Sequence, residues 1–192
     1  MKLYNRTDLP DRLLERVLYH AAKNVGGVRT SGVVVLVKPT RSIWYSRSCA
    51  HRSMIYEWYA KGWTPKQCQA RRDAGKNPLG RLIITDGGWI EIKLYINRDP
   101  FYGSMNFYEV AAHEWRHVKD YQRGVKFGDY HRLYRNRPHE KRAMQAASTA
   151  VRRIYKREGC NDAILELGIA LEERQNQRKV QIEQRKCRRK EK

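Results

Sequence analysis

The sequence predicts a small single-domain α+β protein, and three observations carry that expectation. Short runs rich in β-branched and aromatic residues lie at 33–37, 81–85 and 89–96, the last two joined by Asp86-Gly87-Gly88, a strong hairpin signal. Longer segments at 13–22, 107–121 and 143–154 repeat apolar residues at helical spacing. The length, 192 residues, suits one domain plus a short appendage at roughly 150 residues per domain. We place the domain at residues 1–171, with a chemical core at about 80–155, and read 172–192 as a basic, charged C-terminal tail.

In chain order, Asp8 is placed to cap a first helix, with Pro10 and Asp11 in its first turn. Leu13, Leu14, Val17, Leu18, Ala21 and Ala22 form its apolar stripe, and Gly26-Gly27 ends it. Residues 33–37, bounded by Gly32 and Pro39, read as a buried strand, with 43–45 as a possible extension of the sheet. Segments 54–59 and 65–72 read as short helices around Gly62-Trp63-Thr64-Pro65. The second hairpin strand, Ile90-Glu91-Ile92-Lys93-Leu94-Tyr95-Ile96, alternates apolar and polar residues and is read as a half-exposed strand at the sheet edge. Asn106 with Glu109 looks like a capping box opening a helix that runs to Gly124. Gly124 to Asn136 reads as a loop. The next helix starts near Pro138 and presents Ala143, Ala146, Ala147, Ala150, Val151 and Ile154 on one side. A short apolar helix over 163–171 leads into the tail, read as a solvated helix or a disordered arm.

Lys and Arg number 40 against 20 Asp and Glu, a formal charge of +20 with neutral His. Such a surface favours polyanionic neighbours, so nucleic acid is a candidate partner. The tail holds 9 basic and 4 acidic side chains, so most of the excess lies on the body. No stretch approaches the roughly 18 apolar residues of a membrane span, and the N-terminus lacks the apolar core of a signal peptide. The reading is therefore a cytoplasmic protein with no membrane partner. Cys49, Cys68, Cys160 and Cys187 form no CxxC pair and are taken as free thiols, which argues against a zinc ribbon.

The chemistry sits at His113-Glu114-Trp115-Arg116-His117. On a helix, residues four apart share one face, so both imidazoles can reach one metal ion while Glu114 sits beside them to hold a water. Composition alone predicts about 0.01 such patterns in a random chain of this length. A catalytic zinc site normally has a third protein ligand, and Asp120, Asp129, His131, His139 and Glu140 are the downstream candidates. Asp120 lies on the same helix as both histidines, which rarely offers three ligands at tetrahedral angles, and we set it aside. Glu140 heads an otherwise apolar stripe of 143, 147, 150, 151 and 154. A carboxylate there needs an ionic partner, which a metal held by two neutral histidines would supply.

The pattern HExxH, followed after 22 residues by Glu140-Lys141-Arg142-Ala143, resembles the gluzincin branch of the zincin metallopeptidases, and within it the small minigluzincins. The likeness covers about residues 80–155. It implies a zincin-like fold: a mixed sheet whose edge strand packs on the active-site helix, then a ligand-bearing helix. It also implies that His113, His117 and Glu140 bind Zn2+ and that Glu114 is the general base. The strict metzincin spacing fails, with Asp120 at its glycine position and Arg123 at its last histidine. A second resemblance is to SprT-like zincins, whose third histidine falls where His131 stands. Here, however, Arg132 replaces the usual glycine and no four-cysteine ribbon follows. With Glu140 as ligand, His131, Tyr130 or Tyr134 is a candidate donor to the oxyanion of the tetrahedral intermediate.

These readings make the chain a zinc metallopeptidase acting on a peptide or protein substrate laid along the edge strand 90–96. Residues 121–157 hold 11 Lys and Arg against Asp129 and Glu140, a rim suited to acidic substrates or to proteins bound on nucleic acid. The alternatives are a basic nucleic-acid-associated protein with a structural or inactive zinc site, and a latent protease whose cleft is blocked by residues 40–79 or the tail.

Overall fold

A computed structural model of the chain describes residues 1–39, 80–85, 88–96, 100–127 and 136–190. The sequence readings at 43–45, 54–59, 65–72 and Asp86-Gly87 lie outside these residues. The fold is α+β, a small single domain with a four-stranded mixed sheet and four helices among the described residues. In chain order these are β1 (Lys2–Asn5), α1 (Asp11–Val25), β2 (Val33–Pro39), β3 (Gly80–Ile84), β4 (Ile90–Ile96), α2 (Pro100–Gln122), α3 (Pro138–Arg152) and α4 (Cys160–Lys190). A 3-10 turn at Ile154–Lys156 links the last two helices.

The sheet order is β1-β2-β4-β3. β1 and β4 both pair parallel to β2, and β3 closes the far side antiparallel to β4 with Leu82 opposite Ile92. The hairpin read from the turn signal is present, but its second strand is not an edge. β4 lies between β2 and β3, and among the described residues the edges are β1 and β3. Alternation misled the assignment because it reports that one face of a strand is covered, not whether both of its sides are paired. Val33, Val35, Val37, Ile90, Ile92, Leu94 and Ile96 are buried on one face, whereas Val34, Leu36, Glu91, Lys93 and Tyr95 on the other are half-buried. β1 was not foreseen: four residues with only two of them half-buried give no periodic signal.

α2 is the centre of the helical layer, packing on β3 and β4 and against the other three helices. It begins at Pro100, six residues before the expected start, and Asn106 is an interior, buried position. A proline at the first turn is pre-set for helix and loses no hydrogen bond there, so the capping-box pattern was not needed. At its other end Gly124, with φ 75°, closes a Schellman motif: the Gly124 N–H donates to the Tyr121 carbonyl and the Val125 N–H to the Asp120 carbonyl.

Asp8 does not cap α1. Pro10 holds that position, its carbonyl accepting the N–H groups of Leu13 and Leu14. Asn5 organises the approach, accepting from the Thr7 N–H and hydroxyl and donating to the Leu9 carbonyl and the Asp11 carboxylate. Asp8 is left to pair with Arg178 of α4 at 3.2 Å. The expected short helix at 163–171 is part of a 31-residue helix that runs through the tail. Its buried stripe, Cys160, Ala163, Ile164, Leu167 and Leu171, ends there, and the following Glu, Arg, Gln and Lys residues continue the helix in solvent because they are good helix formers uninterrupted by Gly or Pro. Cys160 is a buried free thiol and Cys187 an exposed one.

All four helices meet at a polar knot. The Asn24 side chain of α1 donates to the Tyr108 hydroxyl of α2 at 2.5 Å and approaches the Cys160 sulfur of α4 at 3.6 Å. The Tyr108 hydroxyl donates onward to the Ala150 carbonyl of α3 at 3.3 Å. Burial holds the Tyr108 phenol neutral and pushes its pKa well above the ordinary 10.0, against the Asn24 hydrogen bond. Because the folded value is raised, the stabilisation is complete below pH 10 and is lost progressively as pH rises from there through the folded value. We expect Tyr108→Phe to lower stability by about 1–3 kcal/mol in urea unfolding near neutral pH and to remove part of the alkaline loss seen in the parent chain.

Candidate metal centre

α2 buries Phe107, Tyr108, Ala111, Ala112, Trp115 and Val118. That arrangement turns the 113, 117 and 120 positions toward α3. Glu140 belongs to the first turn of α3, three positions after the capping Arg137, where the helix dipole favours a carboxylate. Ala143, Ala147 and Ala150 are buried on the same helix, and their small side chains let α3 approach α2 closely.

Three donor atoms converge as a result. His113 Nε2 lies 3.1 Å from Glu140 Oε2, His117 Nε2 lies 3.3 Å from that oxygen, and the two imidazole nitrogens are 3.0 Å apart. Two ligands 2.0–2.1 Å from a tetrahedral zinc stand about 3.3 Å from each other, close to these separations. Two imidazole nitrogens and a carboxylate oxygen at these separations form a donor set that a divalent cation would bind. His113, His117 and Glu140 are the group of possible metal ligands among the described residues. Tyr130, His131 and Tyr134 lie outside those residues, as does Asp129.

The surroundings hold each ligand in place. The His117 ring stands edge-on to the rings of His113, Phe127 and His139 at 4.7, 5.7 and 5.8 Å. Its Nδ1 is buried with no hydrogen-bond partner among the described residues. Burial pulls the His117 pKa down, but the hydrogen bond to Glu140 and the charges of Glu114, Glu140 and Asp120 outweigh it, and the net shift is upward. Phe127 was assigned no role from sequence, and His139, weighed there as a third ligand, stands outside the donor group. His139 is buried with its Nε2 3.5 Å from Glu140 Oε1, and burial lowers its pKa. Its position beside Glu140 in the first turn of α3 was the only available signal.

Asp120, set aside as a ligand, has a different part. Its buried carboxylate accepts from Arg116 Nε at 2.9 Å on one oxygen and from Arg142 Nε at 3.0 Å on the other. Arg142 stands two residues after Glu140, so this fork ties the ligand-bearing turn of α3 to the histidine-bearing turn of α2. The Arg116–Asp120 spacing is legible in sequence as an i,i+4 pair, but the bond to Arg142 is not.

Glu114 lies beside the cluster and is 5% exposed. Burial raises its pKa and Glu140 adds to the rise, while the two histidines and the Leu82 backbone N–H of β3 oppose it. Comparison with protein-family models, curated proteins and solved structures finds no match to this chain. No described helix is long and apolar enough to cross a membrane.

For protein purified without chelator, we expect about one divalent ion per chain by mass spectrometry, lost in His117→Ala and Glu140→Ala. Asp120→Ala, which touches no ligand, should bind the ion about 10- to 100-fold more weakly in chelator competition, because the fork no longer holds α3.

Proposed function

We propose that this chain is a zinc-dependent metallopeptidase of the gluzincin pattern. The observation that carries the reading is the meeting of His113, His117 and Glu140 from two helices within 3.3 Å, with Glu114 next to them on the same helix. A purely structural site has no use for a buried carboxylate beside its ligands, whereas hydrolysis needs one as a base. Two imidazoles and one carboxylate match catalytic zinc sites that keep a position for water.

When bound, zinc supplies Lewis acidity at the scissile carbonyl and lowers the pKa of the attacking water towards 7. Glu114 then accepts a proton from that water as its oxygen joins the carbonyl carbon. The same carboxyl returns the proton to the amide nitrogen as the C–N bond breaks, leaving a carboxylic acid and an amine. The substrate strand is assigned to β3 rather than to 90–96, since β3 is the edge that passes over Glu114 and β4 is paired on both sides.

The formal charge of +20 favours a polyanionic partner and supports substrates that are acidic or carried on nucleic acid. We expect retention on immobilised duplex DNA at low salt that weakens steeply as salt rises, and a chain that flows through at low salt would remove this partner.

The zinc-loaded chain should cleave members of a mixed peptide library, read by mass spectrometry. Glu114→Gln should retain zinc while losing at least about 100-fold in turnover, the scale of a missing general base. Undiminished hydrolysis by that variant would sink the role given to Glu114.

A further inference from the structure

β3 approaches α2 more closely than a side chain would permit. A Cβ added to Gly80 would stand 2.6 Å from Val110 Cγ1, 2.7 Å from Glu114 Oε1 and 2.8 Å from Glu114 Cγ. Distances below 3.0 Å are essentially never seen for real Cβ atoms, so any residue but glycine forces β3 or the Glu114 side chain to move. Gly80 carries no positive φ, so backbone freedom does not explain a glycine here. The space it leaves is filled by the Glu114 carboxyl.

The neighbouring backbone faces that carboxyl. The Thr85 N–H donates to the Trp89 carbonyl, toward the hairpin partner. Successive N–H groups of a strand point to opposite sides, so the Leu82 N–H points outward, away from β4. An outward N–H on an edge strand ordinarily meets water or an added strand. Here that side of Leu82 faces the Glu114 carboxyl, and the Leu82 backbone favours its charged form.

We propose that Gly80 is a positioning residue for Glu114: it leaves room for the carboxyl against β3, where the Leu82 N–H holds it at the strand edge and out of the His113–His117–Glu140 cluster. A carboxylate free to swing into that cluster would compete as a further ligand and would cease to serve as a base. The same contact closes the β3 edge at Leu82, so a peptide strand docking there takes over the Leu82 N–H and releases the carboxyl beside its own scissile bond. The catalytic part of this inference rests on the peptidase reading, and the holding of Glu114 by β3 does not.

The test is amide hydrogen exchange at Leu82 together with steady-state kinetics on the full chain. In the parent chain the Leu82 amide should exchange slowly. It should stay slow in Glu114→Gln, which keeps an acceptor oxygen, and exchange at least about tenfold faster in Glu114→Ala. Gly80→Ala should likewise speed exchange at Leu82 and leave zinc stoichiometry at the parent value. It should lower kcat about tenfold or more, with KM changed by less than about threefold, because it displaces the base and not the substrate. Equal Leu82 exchange in Glu114→Gln and Glu114→Ala overturns the holding contact. Parent-like kcat in Gly80→Ala overturns the positioning role. If the zinc-loaded parent cleaves no peptide, the peptidase reading fails, and the exchange measurements alone still decide whether β3 holds Glu114.

Discussion

The Asp120 carboxylate, clasped by Arg116 from its own helix and Arg142 from the next, is the interaction on which the site depends. A carboxylate at 1% exposure is costly unless its oxygens are satisfied by charge and geometry together. The fork supplies both, and it does so only while α3 lies at one distance from α2. The alanines of α3 set how near the helices can come, and the fork sets their register along one another. Glu140 reaches the two histidines because of those two constraints, whose residues lie mostly outside the HExxH signature.

The polar knot of Asn24, Tyr108, the Ala150 carbonyl and Cys160 does similar work one layer deeper. It joins the end of α1 to the middle of α2, the end of α3 and the beginning of α4. Hydrophobic contact alone is tolerant of sliding, whereas a buried hydroxyl that must both accept and donate is not. α2 is therefore fixed on two sides, by the knot toward α1 and α4 and by the Asp120 fork toward α3. The sheet covers a third side and places the edge strand over Glu114.

What was legible in the sequence follows from which signals are local. HExxH is local: one helical turn brings both histidines together, and Glu140 announced itself as a lone carboxylate on an apolar stripe. Segments whose burial is periodic, such as 13–22, β2 and β4, were legible for the same reason. β1 was not, because a short strand with one half-covered face leaves no period to detect. The position of β4 was misread because sheet order is a long-range property, set by pairing of residues 33–39 with 90–96. Asp8 was misread because Pro10 holds the cap position, its carbonyl accepting the first helical N–H groups. The Arg142 bond, the ring of Phe127 against His139 and the gap at Gly80 all arise between distant segments, so no window of sequence contains them.

The continuity of α4 has a mechanical consequence. A helix rises 1.5 Å per residue, so the stretch after Leu171 carries its charges as fixed graduations on a rod roughly 28 Å long rather than as a cloud on a loose thread. Arg174 and Arg178 stand about 6 Å apart along that rod, and Arg185 about 10 Å further on. Arg178 is pinned to Asp8, so the cations beyond it, Arg185 among them, move together about that anchor. An anionic surface meeting the rod encounters a ruler whose spacing is set by backbone hydrogen bonds, and its match to the rod is one of pitch as well as of charge.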